Sequence, residues 1–388
     1  MEISACVKYV GVNDHQVDLF EGQYKVPNGM SYNSYVILDE KIAVMDTVDG
    51  FFTEEWLNNV EQVLSGKTPD YLVIQHMEPD HSASIPAFLK KYPKVTVVST
   101  AKGFQFMEQF FPEFFAGQGL PAEQRIVAAN DGVLELGQHS LHFVYAPMVH
   151  WPEVMMTYEA TEKILFAADG FGKFGALDVE EEWTDEARRY YIGIVGKYGP
   201  QVQAVLKKAA GLDIWTICSL HGPVLKENLG FYLEKYDRWS SYQPEESGVV
   251  IAYASVYGNT RNAAEYLADV LQEKGQKTVL YDLARCDKAK AVADAFRYDR
   301  LVLAGITYNG DLFPCMRSFI EGLTERNYQN RKVAIIENGT WAPMTGKLIL
   351  GMFEKSKNLT FTETKVSIKS AMNAQNKEEI GKLAEELS

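Results

Sequence analysis

The sequence predicts an α/β protein of two domains, a sheet-on-sheet core covered by helices followed by a doubly wound parallel sheet. Three observations carry this reading. The front of the chain holds many short strand-like runs and only a few helical segments. The tail, roughly 140 residues and so a normal size for one α/β domain, alternates strand-like and helical runs cleanly. Between them lies Tyr242-Gln-Pro-Glu-Glu-Ser-Gly248, polar and turn-rich, directly before an apolar strand.

In chain order, the front domain (1–245) opens with an alternating pair, Asn33–Leu38 and Lys41–Val48, around Asp39-Glu40, the pattern of a hairpin. Helical periodicity follows in Thr53–Leu64. Further strand-like runs are Tyr71–Gln75, Val95–Ser99, Leu141–Tyr145, Val154–Tyr158, Ile164–Ala168 and Ile214–Ser219. In the tail domain (248–388) the strands are Val249–Tyr253, Thr278–Tyr281, Leu301–Gly305 and Val333–Glu337, with the first helix at Thr260–Lys274. This βαβ alternation predicts ligands outside the carboxyl ends of the strands.

Composition narrows the function classes. A chain of 388 residues with 46% hydrophobic and 12% aromatic content fills two cores and excludes disorder. No apolar run approaches the ~18 residues of a membrane span, and Met1–Val10 lacks the charged start and apolar stretch of a signal peptide. A formal charge of −14 argues against nucleic acid or an anionic membrane as partner. Cys6, Cys218, Cys286 and Cys315 lie far apart without a CxxC pair, so they read as reduced thiols of a cytoplasmic protein.

The first chemical signal is His76-Met-Glu78-Pro-Asp80-His81, four ligand-type residues at the end of a strand. Pro79 argues against a continuous helix, so a loop is expected here. Three later strands also lead to ligand-type residues: Leu141–Tyr145 to His150, Ile164–Ala168 to Asp169, and Ile214–Ser219 to His221. Strand ends gathered on one rim bring distant residues to one site. His15, His139 and His142, in polar, turn and outward strand positions, read as surface or structural. Four histidines and three carboxylates are too many for one tetrahedral ion and suit two. The nitrogen–oxygen set, without thiolate, favours iron, manganese or zinc.

The second signal follows Val249–Tyr253, where Ser255, Val256, Tyr257, Gly258, Asn259 and Thr260 open a helix. Small and hydroxylated residues there offer N–H groups and hydroxyls to a phosphate. Two later strand ends, Thr307, Tyr308, Asn309 and Gly310, then Asn338, Gly339, Thr340 and Trp341, offer walls for a flat ring system. Tyr308 and Trp341 are its stacking candidates.

The front domain resembles the metallo-β-lactamase fold, an αββα sandwich whose hydrolases usually carry H-x-H-x-D-H; here Glu78 replaces the second histidine. That departure resembles the flavodiiron proteins, as do His150-Trp-Pro-Glu153, Phe166-Ala-Ala-Asp169-Gly-Phe-Gly172, Ser219-Leu-His221-Gly-Pro223, Leu19-Phe-Glu-Gly22 and Ser31-Tyr-Asn-Ser-Tyr35. The three tail loops resemble the FMN site of the flavodoxin fold. The resemblance implies one iron on His76, Glu78 and His150, another on Asp80, His81 and His221, and Asp169 as bridge. It implies reduction of O₂ to water and/or NO to N₂O, with electrons entering through FMN from a separate donor such as rubredoxin or a reduced deazaflavin. It also implies the minimal two-domain form, as a head-to-tail homodimer that is open to pairing as a dimer of dimers. The alternative is a binuclear metallo-β-lactamase-fold hydrolase with an accessory flavodoxin domain, which Glu78 opposes.

Overall fold

The computed structural model describes residues 3–117 and 119–388. Contacts divide the chain into two compact units, the first running to Tyr191 and resuming over Pro200–Tyr236, the second comprising Ile192–Gly199 and Asp237–Ser388. The seam expected at Tyr242–Gly248 lies in the second unit, where Arg331 Nη1 donates to the Tyr242 carbonyl at 2.7 Å. No described helix is long and apolar enough to cross a membrane.

The first unit is built on two sheets. The larger has six strands in the order Val7–Tyr9, Tyr35–Ile37, Ala43–Met45, Tyr71–Val73, Thr96–Ser99 and Arg125–Val127. Its first three strands run antiparallel and include the expected hairpin, and the pairings from Ala43–Met45 onward are parallel. The smaller has five, Val133–Glu135, Ser140–Tyr145, Met155–Glu159, Ile164–Phe166 and Thr216–Cys218, with only the last pair parallel. Ile37, Met45, Val73 and Val98 of one sheet share a buried cluster with Leu141, Phe143, Met155 and Phe166 of the other. That shared apolar layer is the sandwich core, and burying it is the main favourable term in the unit's stability.

The His76–His81 segment departs from the loop that Pro79 implies. One turn of helix, Pro79–Ser82, begins at the proline itself. At the first helical position the missing N–H has no intrahelical acceptor to lose, so proline starts a helix there instead of breaking one.

The second unit has a parallel sheet ordered Thr278–Asp282, Glu246–Tyr253, Tyr298–Tyr308, Lys332–Asn338, so that its first strand in sequence lies second in space. Lys332–Asn338 also pairs with two short strands, Thr360–Phe361 and Val366–Ile368, that sequence patterning did not single out. They are two and three residues long, too short for an alternation to register. The order 2-1-3-4 with a fifth edge position creates a crevice at the carboxyl ends, where successive connections leave in opposite directions.

Candidate metal centre and flavin pocket

In the first unit, strands deliver side chains to one rim. His76 and Glu78 leave the end of Tyr71–Val73, and Asp80 and His81 follow on the turn of helix. The His81 carbonyl accepts from the backbone N and Oγ1 of Thr47, at 3.0 and 2.8 Å, which fixes that turn. His150 follows Ser140–Tyr145, Asp169 follows Ile164–Phe166, and His221 follows Thr216–Cys218. After His221 the chain turns at Gly222, whose φ of +77° suits glycine and whose missing Cβ would sit 2.9 Å from Lys173 Cγ.

The rim gathers all seven predicted ligands in two groups, His76, Glu78, His150 and Asp169, and Asp80, His81 and His221. Glu78 Oε2 lies 3.1 Å from His76 Nε2 and 3.0 Å from His150 Nε2. On the other side, Asp80 Oδ2 lies 3.3 Å from both His81 Nε2 and His221 Nε2. Asp169 spans the two: its Oδ2 is 3.0 Å from His150 Nε2 and 3.4 Å from His76 Nε2, while its Oδ1 is 3.5 Å from His81 Nε2 and 3.8 Å from His221 Nε2.

Two tests show that cations fit this donor set. His81 Nε2 and His221 Nε2 face each other at 3.0 Å, each with a neighbouring carboxylate. Two donors about 2.1 Å from one ion and at right angles lie about 3.0 Å apart, so a shared metal explains the contact. Further, both oxygens of Asp80 and of Asp169 are buried without a well-directed hydrogen-bond donor. A buried carboxylate in that condition is costly unless a charge meets it.

Electrostatics agree. Burial opposes ionisation of Asp169 and Glu78, but the surrounding imidazoles outweigh it and hold both well below the usual carboxylate range. Burial also opposes charge on His76 and His150. Asp169, Glu153 and Glu78 nevertheless hold His76 well above its ordinary value, and Asp169 and Glu78 lift His150 to about 9. For His81, burial prevails with the help of the His221 charge and pushes it down to about 4. Such a cluster exchanges protons for cations.

The ring orientations come from residues that sequence reasoning did not assign to the site. Glu153 Oε1 accepts from His76 Nδ1 at 2.8 Å and from the Met77 N–H at 3.0 Å, which turns His76 Nε2 inward. The Ser31 carbonyl does the same for His221 Nδ1 at 2.8 Å. The carboxylate three residues after His150 was the available signal for Glu153; a backbone carbonyl such as that of Ser31 leaves none. Phe20, Tyr32 and Tyr190 meet the His221 ring at centroid distances of 5.4, 6.0 and 5.4 Å and cover that side. His142 and His139 stay outside both groups.

In the second unit a cavity of about 630 Å³ opens at the carboxyl ends of the strands, a size that suits a cofactor. Every predicted flavin-loop residue lines it except Gly258, which instead carries a φ of +91° at the start of helix Asn259–Glu273. Ile306, Ala342, Met344 and Ser370 also line it. Ser370 follows the short strand Val366–Ile368, and its backbone N–H donates to Asn338 Oδ1 at 3.1 Å. Thr260 Oγ1 is buried with no hydrogen-bond partner, which fits a cradle whose acceptor is a ligand phosphate. Tyr308 is exposed, with one edge against Phe313 at a centroid distance of 5.3 Å. Tyr257 and Trp341 stand 93% and 81% exposed at the mouth, so neither is held in place by packing.

Comparison with known proteins matches residues 30–222 to the ODP family beta lactamase and residues 250–364 to a flavodoxin domain. A similar relative is the anaerobic nitric oxide reductase flavorubredoxin of Vibrio vulnificus, 28% identical over 86% of this chain and 69% of that protein. Among solved structures, the flavodiiron protein from Giardia intestinalis is 26% identical with a TM-score of 0.92, covering 100% of this chain and 95% of that one. The rubredoxin oxygen:oxidoreductase of Desulfovibrio gigas shares the fold at 24% identity and a TM-score of 0.91, covering 99% and 96%.

Proposed function

The chain belongs to the flavodiiron proteins, and from that premise we propose that it reduces O₂ to water and/or NO to N₂O with electrons taken from a separate donor through FMN. It is an oxidoreductase with a binuclear iron centre and FMN. The observation that carries the reading is the position of Asp169, one oxygen toward His76 and His150 and the other toward His81 and His221. In our assignment His76, Glu78 and His150 would hold one iron, Asp80, His81 and His221 the other, and Asp169 would serve both.

When bound, FMN and a ferrous pair supply two electrons each, four in all for O₂, of which the coupling of two NO molecules needs two. The chain's own residues do the positioning. Glu153 and the Ser31 carbonyl lock His76 and His221 through their Nδ1 atoms, so that both Nε2 atoms face inward. Phe20, Tyr32 and Tyr190 exclude water from the His221 side. Exchange of an imidazole for Glu78 adds negative charge and a harder ligand, which suits iron. In the second unit, Ser255–Thr260 would hold the FMN phosphate, and Thr307–Gly310 with Asn338–Trp341 would flank the ring.

The ligand groups lie in one unit and the flavin loops in the other. We assign a head-to-tail homodimer in which the flavin of one subunit serves the metals of its partner, a two-fold arrangement that creates two identical crossed sites. A small rubredoxin or a reduced deazaflavin supplies the electrons. Four free thiols suit a cytoplasmic location. Purified protein from iron-replete cells, assayed for metal, flavin and turnover with reduced rubredoxin under O₂ or NO, tests the reading. About two irons and one FMN per chain are expected; stoichiometric zinc with esterase or nuclease turnover would overturn it in favour of the hydrolase.

A further inference from the structure

A second group of metal-ligating side chains lies at the other end of the first unit's strands. His139 immediately precedes Ser140–Tyr145, whose far end leads to His150, and Glu162 precedes Ile164–Phe166, whose far end leads to Asp169. Cys6 precedes the edge strand Val7–Tyr9 of the other sheet, with its carbonyl accepting from Leu38 N at 2.9 Å. One ligand atom from each of Cys6, His139 and Glu162 lies within 4.8 Å of the other two. Sequence reading left Cys6 as an ordinary thiol and His139 as a turn residue, because 133 and 23 residues separate His139 from its two companions.

The surroundings of His139 are those of a ligand. It is only 3% exposed. Asp39 Oδ2 accepts from its Nδ1 at 2.8 Å and from its backbone N–H at 2.7 Å. This is the carboxylate–imidazole pairing that fixes a metal-binding histidine, and it directs Nε2 toward Glu162. Nε2 stands 3.4 Å from Glu162 Oε1, longer than an ordinary hydrogen bond. Two donors about 2.1 Å from one tetrahedral ion lie about 3.4 Å apart. Glu162 is itself placed by a turn, its N–H donating to Glu159 Oε2 at 2.6 Å. The other Asp39 oxygen, Oδ1, accepts from Glu40 N at 2.8 Å, so the carboxylate is held from both sides.

We propose that Cys6, His139 and Glu162 form a separate site for a divalent cation of the zinc type, with Asp39 as the positioning residue of His139 and water at the fourth position. Thiolate, imidazole and carboxylate together suit a borderline-soft tetrahedral ion. The site clips the segment before Val7–Tyr9 to the turns ahead of Ser140–Tyr145 and Ile164–Phe166, and so fastens one sheet to the other at the end away from the iron ligands. Burial, with Glu162 and Asp39 nearby, holds the Cys6 thiol above its ordinary value. Binding therefore releases a proton and tightens as pH rises.

The test is made on the iron- and FMN-loaded protein. It is equilibrated with cobalt(II) or zinc, desalted, and analysed for iron, added metal and flavin separately. One added ion per chain is expected, with iron unchanged and a thiolate-to-cobalt absorption band. Cys6→Ser should abolish the band and the added ion, and Glu162→Gln should weaken cobalt binding by at least about tenfold, both with iron and flavin retained. The proposal fails if the wild type takes up no added ion. It fails equally if uptake is matched by iron loss, which would put the ion in the iron centre, or if Cys6→Ser binds as tightly as wild type.

Discussion

Glu153→Gln isolates one term in iron binding. The Glu153 carboxylate is 3% exposed, and its Oε1 takes both the His76 Nδ1 and Met77 N–H hydrogen bonds. Glutamine keeps the shape and one acceptor oxygen but removes the charge. Hydrogen bonds to a charged group contribute ~1.5–3 kcal/mol and neutral ones ~0.5–1.5, so each of the two bonds weakens by about 1 kcal/mol. Part of that loss falls equally on metal-bound and metal-free protein, and the part specific to metal binding is the imidazole's basicity and orientation. A loss of ~1.4–2 kcal/mol, or about 10–30-fold in affinity, follows for the iron on His76. Among the described residues no hydrogen bond or ion pair joins Glu153 to Asp80, His81 or His221, whereas it meets His76 directly, so the second iron should be lost later. Competition with a graded series of chelators, read by iron-to-flavin ratio, measures both steps. If Glu153→Gln holds both irons within about threefold of wild type, the orienting role assigned to Glu153 is wrong; equal loss of iron and FMN would mean that the whole fold has failed instead.

Five other outcomes are expected. Asp169→Ala should lose both metals and reductase activity while FMN stays bound, whereas His142→Ala should stay near normal; similar metal loss in both variants would refute the ligand assignment. Thr260→Val removes a buried hydroxyl without a partner, so thermal stability of the apoprotein should hold or rise while FMN affinity falls ~10–100-fold by fluorescence titration. Gly222→Ala places a side chain at φ +77° and 2.9 Å from Lys173 Cγ, and should cost about 1–3 kcal/mol by denaturant unfolding. Because carboxylates hold His76 and His150 above the ordinary imidazole value, metal must displace their protons: iron affinity should fall as pH falls, with proton release on binding measurable in weakly buffered solution. Finally, co-expression of Asp169→Ala with a chain carrying a disrupted Ser255–Thr260 loop should restore part of the donor-linked activity in isolated mixed dimers; inactive mixed dimers that retain their remaining cofactors would place flavin and metals in the same chain.

What the sequence determined by itself was whatever depends on neighbours along the chain. The βαβ alternation after Gly248, the Asn33–Val48 hairpin and the helix Thr53–Leu64 are periodicities of two or 3.6 residues, visible without knowing what the segments meet. Ligand-type residues near strand ends were legible for the same reason, because an alternating run and the histidine or aspartate that follows it are neighbours along the chain. The Pro79 turn is half legible: the proline does keep a helix from running through His76–Glu78, but the same residue also begins one, and only its position in the turn distinguishes the two roles. The tertiary structure decided which strand ends share a rim, and therefore that Asp169 turns one oxygen to each histidine pair and that Glu153 aims His76. It also decided that Cys6, His139 and Glu162 meet. These juxtapositions follow from the order of strands in two sheets, which is set by how the whole apolar surface is buried; no local period encodes it.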